Sequence, residues 1–550
     1  MQTITIVLVL LLAVVVSGWI SRALPAIPRP LLQIALGGIV GLASGLRVEL
    51  HPEIFFLLFL PPLLFLDGWR IPKEEMLRDA TTILEMAFGL VIFTVVGIGF
   101  FVHWTVPGVP LPVAFALAAV LSPTDPIAVS SIAARVPIPK RLMHILEGES
   151  LLNDASGLVC LRFAVAAAIT GTFSLADAAL DFLWVAAGGI AVGTLTTFAV
   201  TRAKMWVAHR IGEESGTQVI ISLLIPFGSY LLAEHLHCSG ILAAVAAGVT
   251  MSYADARGPT LASTRLQRTT VWDTIQYAAN GIIFVLLGEQ LPGILRGAAR
   301  TVDVTGHDHP AWLLVYVLAI AAALAVLRLA WVYVSLNFTI YRASLRGEAV
   351  RHPPWQLVVA TSLAGARGAI TLAGVLTLPL ALGDGSPFPA RDLAIFLAMG
   401  VIIVSLVAAS VGLPLLLSGL RMPLDRRHSE EEDRARVAAA GAAILAVERA
   451  QHALAKELAG EGAGPDADAI VAAAARVMEY YRTRIDHRSG GRAALAASRR
   501  REAVERDMIL AALRAEREAV AGLLEDWAIG TETARRLMRE IDLMELRYDG

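Results

Sequence analysis

The chain has 550 residues, of which 56% are hydrophobic and only 17% are charged, and its formal net charge is -2. Soluble domains are usually about 25% charged, so this composition predicts a polytopic membrane protein and excludes an ordinary soluble domain. The small net charge gives no basis for a nucleic-acid partner. Two cysteines, Cys160 and Cys238, provide no disulfide framework.

Apolar runs recur along residues 1–420, which we predict to be an all-α transmembrane domain embedded in the lipid bilayer. A spanning helix needs about 20 mostly apolar residues, and the runs indicate about thirteen such helices. The first run has no basic segment before it, so we expect a retained span rather than a signal peptide. The candidate spans lie near residues 3–20, 30–46, 53–67, 81–103, 111–134, 140–170, 182–202, 217–235, 238–252, 272–295, 312–341, 355–380 and 392–418.

Lysine and arginine are frequent in alternate loops between these spans and sparse in the loops opposite. The positive-inside rule then predicts the N-terminus outside and the C-terminus in the cytoplasm, for a protein of the inner (plasma) membrane. A missed span would invert the pattern downstream, so its regularity supports the count. The basic loops contain Arg22 and Arg29; Arg70, Lys73 and Arg78; Arg135, Lys140 and Arg141; Arg202, Lys204 and Arg210; Arg257, Arg265 and Arg268; and Arg342, Arg346 and Arg351.

Residues 421–550 change in composition to alanine, glutamate and arginine with helical periodicity. We predict a cytoplasmic helical C-terminal domain of about four helices. Two interpretations stay open: an assembly or stability module, or a regulatory sensor that binds an unknown regulator. The predicted helices are AAAGAAILAVERAQHALAKELAG, DADAIVAAAARVMEYYRTRI, REAVERDMILAALRAEREAVAGLLEDW and TETARRLMREIDLMELRY.

The fifth span contains the stretch LSPTDPI, in which Pro123 and Pro126 interrupt the helix. Proline lacks an amide donor and disfavours the helical conformation of the residue before it. We therefore predict two half-helices, with Asp125 as the N-cap of the second. Carbonyls freed at the break, including that of Thr124, become available as cation ligands. The alternative is a proline kink without a ligand role.

The next span contains EGESLLNDASG, with a carboxylate at mid-membrane depth that costs roughly 2.5–3.5 kcal/mol to insert. Ser150 and Asp154 are four residues apart and share one helix face, which offers a hydroxyl and a carboxylate to a hard cation such as sodium. Glu149 and Asn153 share the adjacent face and could brace a neighbouring helix. We predict that Asp154 carries a small cation exchanged for a proton. A polar helix interface with every group satisfied is the alternative.

A third stretch, AGARGAITLA, places Arg367 among small residues in the twelfth span. A buried arginine needs an anionic partner, and we expect Glu149 to be that partner. The stretch lies seven spans after LSPTDPI, where the counterpart in an inverted six-helix repeat would fall if span seven is a linker.

Four other charged residues lie in or at the ends of spans. Asp67 ends the third span and is either a site carboxylate or an interfacial helix-end charge. Arg162 follows Asp154 by eight residues and is interpreted as neutralising it or another acid. Arg328 and Glu289 are interpreted as structural.

These stretches together resemble the NhaP/NHE-type monovalent cation:proton antiporters. SPTDP matches the family's broken-helix motif, GESLLND its asparagine–aspartate motif, and GARGAI its arginine helix. PPLLFLDGW looks like the third-span pattern, and the resemblance runs over spans three to thirteen. The C-terminal segment looks like that of bacterial members.

The resemblance implies a secondary active transporter rather than an enzyme, built as a homodimer with a dimerisation domain and a mobile core domain. It implies sodium as the transported metal ion and no cofactor, and the pairing of asparagine with aspartate goes with electroneutral exchange. The residues that would hold sodium or the proton are Asp154, Ser150, Asp125, the Thr124 carbonyl and Asp67. Those that would hold the core together are Asn153, Glu149 and Arg367.

Rival functions remain at this point. Potassium in place of sodium is the main one, because oxygen ligands alone do not set cavity size. A cation channel would conduct without a counter-ion. An intramembrane aspartyl protease would use Asp125 and Asp154, but no GxGD-type motif surrounds Asp154 and Arg367 would have no role in it.

Overall fold

A computed structural model describes most of the chain in two compact units, Met1–Met422 and Pro423–Gly550. The residues it describes are 2–25, 27–43, 52–125, 140–171, 175–212, 214–257, 262–301, 311–345, 354–382, 385–417, 426–461, 466–489, 492–526 and 528–548.

The described part of the first unit is helical, apart from one isolated antiparallel bridge between Ala381 and Pro387. Apolar runs form helices because a membrane leaves no water to satisfy an exposed backbone. The helices are α1 (Gln2–Ala23), α2 (Arg29–Ala43), α3 (Pro52–Arg70), α4 (Lys73–Arg78), α5 (Ala80–Leu84), α6 (Val91–Thr105), α7 (Leu111–Leu121), α8 (Lys140–Thr170), α9 (Leu175–Ile211), α10 (Ser215–His235), α11 (Gly240–Arg257), α12 (Ala262–Thr301), α13 (Ala311–Leu345), α14 (Trp355–Leu363), α15 (Ala369–Leu376) and α16 (Arg391–Leu417). A π-helical turn, Glu85–Leu90, joins α5 to α6.

Eight helical segments in the described residues are long and apolar enough to cross a membrane, and three shorter apolar helices, α2, α7 and α11, accompany them. The chain is therefore an integral membrane protein. The count of thirteen spans and the inverted repeats stay predictions.

Two helices expected within single spans end near mid-span. Helix α7 ends at Leu121, and the chain is not helical over residues 122–125. The second half of that span, including Pro126, lies outside the described residues. The span predicted over 355–380 is interrupted as well, because residues 364–368 separate α14 from α15. The second break has a physical reason in Gly365 and Gly368, since glycine weakens a helix.

Within the first unit, the helix contacts fall into two groups. Helices α1–α3 pack with α9–α12, whereas α5–α8 pack with α13, α14 and α16. Small residues allow close approach: a Cβ atom at Gly37 of α2 would overlap the Val285 carbonyl of α12, and one at Gly288 would overlap the Ile34 carbonyl. Helix α3 crosses from its own group to touch α8 and α15. Helix α12 of the first group also packs against α16 of the second, so the two groups meet along α12 and α16 and around α3, α8 and α15.

The second unit contains four described helices, α17 (Arg426–Glu461), α18 (Asp466–Ser489), α19 (Arg492–Glu525) and α20 (Thr531–Tyr548). Helix α17 begins at Arg426, about three turns before the alanine-rich pattern that starts at Ala438, because the preceding Glu and Arg residues are themselves good helix formers. Arg517 of α19 donates to Asp542 at 2.7 Å and also pairs with Glu545, which joins α19 to α20. The cytoplasmic location of this unit stays a prediction.

Candidate functional site

The two helix breaks meet each other. The Asp125 amide donates a hydrogen bond to the Ala366 carbonyl at 2.7 Å, which links one unwound segment to the other. Arg367 donates from Nε to the Leu121 carbonyl at 3.1 Å and from Nη1 to the Gly365 carbonyl at 2.6 Å. Carbonyls at helix C-terminal ends lack intrahelical partners and carry partial negative charge. The guanidinium therefore stabilises the C-terminal end of α7 and the unwound segment that follows α14.

Gly368 allows this close approach. A Cβ atom at this position would overlap the Asp125 carboxylate. The backbone of Gly368, with φ -137° and ψ -145°, lies outside the left-handed region. Glycine is therefore required at position 368 because a side chain would not fit beside Asp125, and not because the backbone is strained.

Beside the breaks lies a small cavity of about 30 Å³, large enough for a water molecule or a dehydrated monovalent cation. Side chains from α3, α8 and α12 form its walls with residues of both breaks. Its polar lining consists of Asp67, Thr124, Asp125, Ser150, Asp154, Asn280 and Thr371. The structure thus brings together all five residues that the sequence indicated for the ion: Asp67, Thr124, Asp125, Ser150 and Asp154.

Asp154 is the most deeply placed of the three cavity aspartates, with 4% of its surface exposed. No ion pair or hydrogen bond joins its carboxylate to any other residue in the described parts of the chain. Ser150 lies one turn earlier on α8 and is also buried. A buried carboxylate without a fixed counter-charge has a high cost, which a bound cation or proton would remove.

The expected pairing of Glu149 with Arg367 is wrong. Glu149 is fully buried and instead accepts two hydrogen bonds from Arg328 of α13, at 2.5 Å to Nη1 and 2.8 Å to Nη2. Arg367 instead donates to the Leu121 carbonyl at the first break and to the Gly365 carbonyl in the second. In a continuous twelfth span the Gly365 carbonyl would be paired within the helix, so the second break explains part of the difference.

Glu149 and Asn153 also hold the first break. The Thr124 hydroxyl donates to Glu149 Oε1 at 3.2 Å and accepts a hydrogen bond from Asn153 Nδ2 at 3.0 Å. The second polar face of α8 therefore fixes the position of Thr124, while the first face, with Asp154, borders the cavity.

The other candidates lie away from the cavity. Arg162 pairs with Glu234 at 3.2 Å and is exposed, so it does not neutralise Asp154. Glu289 is buried and accepts from Gln290 Nε2 at 2.7 Å. No group of three or more His, Cys, Asp or Glu side chains within the described ranges converges as a tightly held metal site would.

The sequence pattern did not single out Asn280. This side chain is near the middle of α12, within Ala262–Thr301. Its only signal is an amide two residues before a long apolar run, which is too common to mark a site.

The first comparison concerns sequence families. The family model described as "Sodium/hydrogen exchanger, transmembrane" matches residues 7–419. An Escherichia coli K12 protein, named "Uncharacterized Na(+)/H(+) exchanger YjcE", is 41% identical over 544 residues, which are 98% of this chain and 97% of that protein. A Bacillus pumilus protein, named "Sodium, potassium, lithium and rubidium/H(+) antiporter", is 43% identical over 419 residues, 76% of this chain and 61% of that protein.

The second comparison concerns solved structures. The sodium proton antiporter MjNhaP1 from Methanocaldococcus jannaschii, determined at pH 8, matches with a TM-score of 0.59 at 21% identity. The match covers 76% of this chain and 99% of that chain. At this identity the likeness shows a shared fold.

Proposed function

This chain belongs to the sodium/hydrogen exchanger family of cation/proton antiporters, and we propose that it exchanges sodium for protons through Asp154. The observation that carries the proposal is the Asp154 carboxylate, buried beside two helix breaks without an ion pair in the described residues. The exchange is electroneutral, one proton against one sodium ion, and lithium is a second substrate.

One carboxylate exchanges two cations because they compete for it. A protonated Asp154 offers no charge to sodium, and a bound sodium ion repels the proton. The helices that carry the site cross between the two sides only when this charge is neutralised, since an unpaired carboxylate is costly in a low-dielectric interior. Either ligand can then be carried, and the gradient of one drives the other. This makes the protein a secondary active transporter.

The remaining cavity oxygens complete the site for sodium. Ser150 and the main-chain carbonyl of Thr124 are neutral ligands of the kind that hard cations prefer. Asp125 and Asp67 add negative charge around the same small cavity, which raises the local concentration of cations. These oxygen ligands and carboxylates give the cavity affinity for sodium without a permanently bound counter-ion.

Asn153, Glu149 and Arg367 are framework residues in this proposal. They fix Thr124 and the ends of the broken helices through the hydrogen bonds described above. A rigid framework lets the site move as one body between the two sides. The protein works as a homodimer in the inner membrane, with the N-terminus outside and the C-terminal unit in the cytoplasm.

The main alternative is potassium/proton exchange, because a relative from Bacillus pumilus is named for sodium, potassium, lithium and rubidium. A cation channel is the less favoured alternative. Both are decided by which ions drive proton movement.

The test uses purified protein in vesicles with an acidic interior and a pH-sensitive dye inside. Adding sodium or lithium outside is expected to make the interior alkaline, and potassium to do so less. Asp154→Asn should abolish the response, whereas the control Asp392→Asn, at an exposed position, should not. A full response from correctly folded Asp154→Asn would disprove the assignment. Sodium flux that persists with no counter-ion would indicate a channel.

A further inference from the structure

The cavity has a polar side chain whose role is unassigned. Asn280 lies in its wall, and the Asn280 Oδ1 atom is buried with no hydrogen-bond partner among the residues that the structure describes. Buried acceptors without partners are rare in folded proteins, so each one needs an explanation. Because the amide torsion is roughly two-fold, a half-turn brings either amide atom to the cavity without moving the helix.

Asn280 comes from the other helix group. It is on α12, which packs chiefly against α2 of its own group and also against α1, α10 and, across the groups, α16. Asp154 and Ser150 are on α8, in the group that contains α7 and α13. Asn280 is therefore a polar contribution from the group opposite Asp154, in a cavity small enough for one ion to lie near both walls.

We propose that the Asn280 side-chain carbonyl is a neutral ligand of the transported cation and favours the cation over the proton. This inference rests on the function proposed above. An amide oxygen is a hard ligand for sodium, like the backbone and Asn/Gln carbonyls that bind other hard cations. It does not take up a proton in the pH range where carboxylates titrate. Asn280 thus stabilises the cation-bound state alone, whereas each aspartate stabilises both the cation-bound and the proton-bound state.

The position of Asn280 gives this ligand a second consequence. Its contact with the cation exists only while the two helix groups meet at the cavity. Binding of a cation therefore stabilises the arrangement in which both walls approach the ion. Asn280 does not stabilise the protonated form of Asp154 in this way. The cation and the proton therefore differ in how strongly they stabilise the contact between the two helix groups.

The test replaces the amide by a side chain of similar shape without oxygen, Asn280→Leu. The matched control is Asn337→Leu, because Asn337 is exposed on α13 and lies outside the cavity. Sodium-dependent exchange is measured in vesicles at alkaline pH, where protons compete least. Asn280→Leu is expected to raise the KM for sodium about tenfold with little change in maximal rate, and Asn337→Leu to leave both unchanged.

A merely structural role for Asn280 would lower the yield, the melting temperature or the maximal rate and leave the KM for sodium alone. That result would overturn the proposal. A lower KM for sodium in Asn280→Leu would also overturn it, because it would mean that the amide accepts a hydrogen bond from the protonated carboxyl and favours the proton.

A second variant keeps the proposal testable if Asn280→Leu does not fold. Asn280→Asp preserves an oxygen at the same position, so sodium should still raise the melting temperature of the purified protein. Loss of that stabilisation in folded Asn280→Asp would count against the ligand role. Wild-type protein that neither exchanges sodium nor is stabilised by it would instead disprove the proposed function, which separates the two failures.

Discussion

Removing Arg328 is expected to destabilise the protein strongly. Its guanidinium makes two hydrogen bonds to Glu149, and neither side chain has more than 3% of its surface exposed. Arg328→Met would leave Glu149 as an uncompensated buried charge, which costs about 3–5 kcal/mol. Glu149→Gln alone would leave Arg328 in the same condition, although the amide keeps an acceptor for the Thr124 hydroxyl.

The double variant Glu149→Gln/Arg328→Met removes both charges and should recover more than half of the loss. The expected interaction energy in this double-mutant cycle is about 3 kcal/mol. Thermal unfolding of the detergent-purified variants, followed by fluorescence-detected chromatography, measures it. The control cycle uses Arg70 and Asp273, an ion pair with 38% and 56% of its side-chain surfaces exposed, for which about 1 kcal/mol or less is expected.

The cycle also discriminates between the two buried arginines. If Glu149 coupled more strongly to Arg367 than to Arg328, the assignment of the ion pair would be refuted. Arg367→Met should still destabilise, because the Leu121 and Gly365 carbonyls would lose their donor, but its coupling to Glu149→Gln should be smaller than that of Arg328→Met, since no hydrogen bond joins Arg367 to Glu149 in the described residues.

Three more results are expected. Gly368→Ala should greatly reduce exchange, because the added Cβ atom would displace the Asp125 carboxylate. The control Gly228→Ala has open space around the added Cβ atom and should leave the exchange rate unchanged. Equal exchange rates in the two variants would contradict the steric argument. Asn153→Ala should lower stability by about 1–2 kcal/mol, since Thr124 loses a buried hydrogen bond; an unchanged melting temperature would argue against that bond. A membrane potential set with potassium and valinomycin should leave the exchange rate unchanged, and a voltage-dependent rate would exclude electroneutral exchange.

The sequence predicts those parts of the fold that local chemistry decides. The first break is predicted from Pro123 and Pro126, because proline acts on its own backbone and on the residue before it. The shared face of Ser150 and Asp154 follows from helical spacing. These signals need no knowledge of neighbouring helices, and the structure places these residues around one cavity.

Other features depend on which helices meet in space. Arg328 and Arg367 are both arginines in apolar runs, and only the path of α13 decides which one reaches Glu149. The second break lacks a proline, and its glycines are a weaker signal because helices in membranes tolerate glycine. Asn280 becomes notable only after α12 is seen to border the cavity.

Competition of sodium and protons for Asp154 makes the affinity for sodium depend on pH. Exchange of radioactive sodium for unlabelled sodium can be measured in vesicles with equal pH on both sides. The KM for sodium is expected to rise steadily as the pH falls, while the maximal rate stays constant. A KM that does not change with pH would contradict a single carboxylate shared by the two ions.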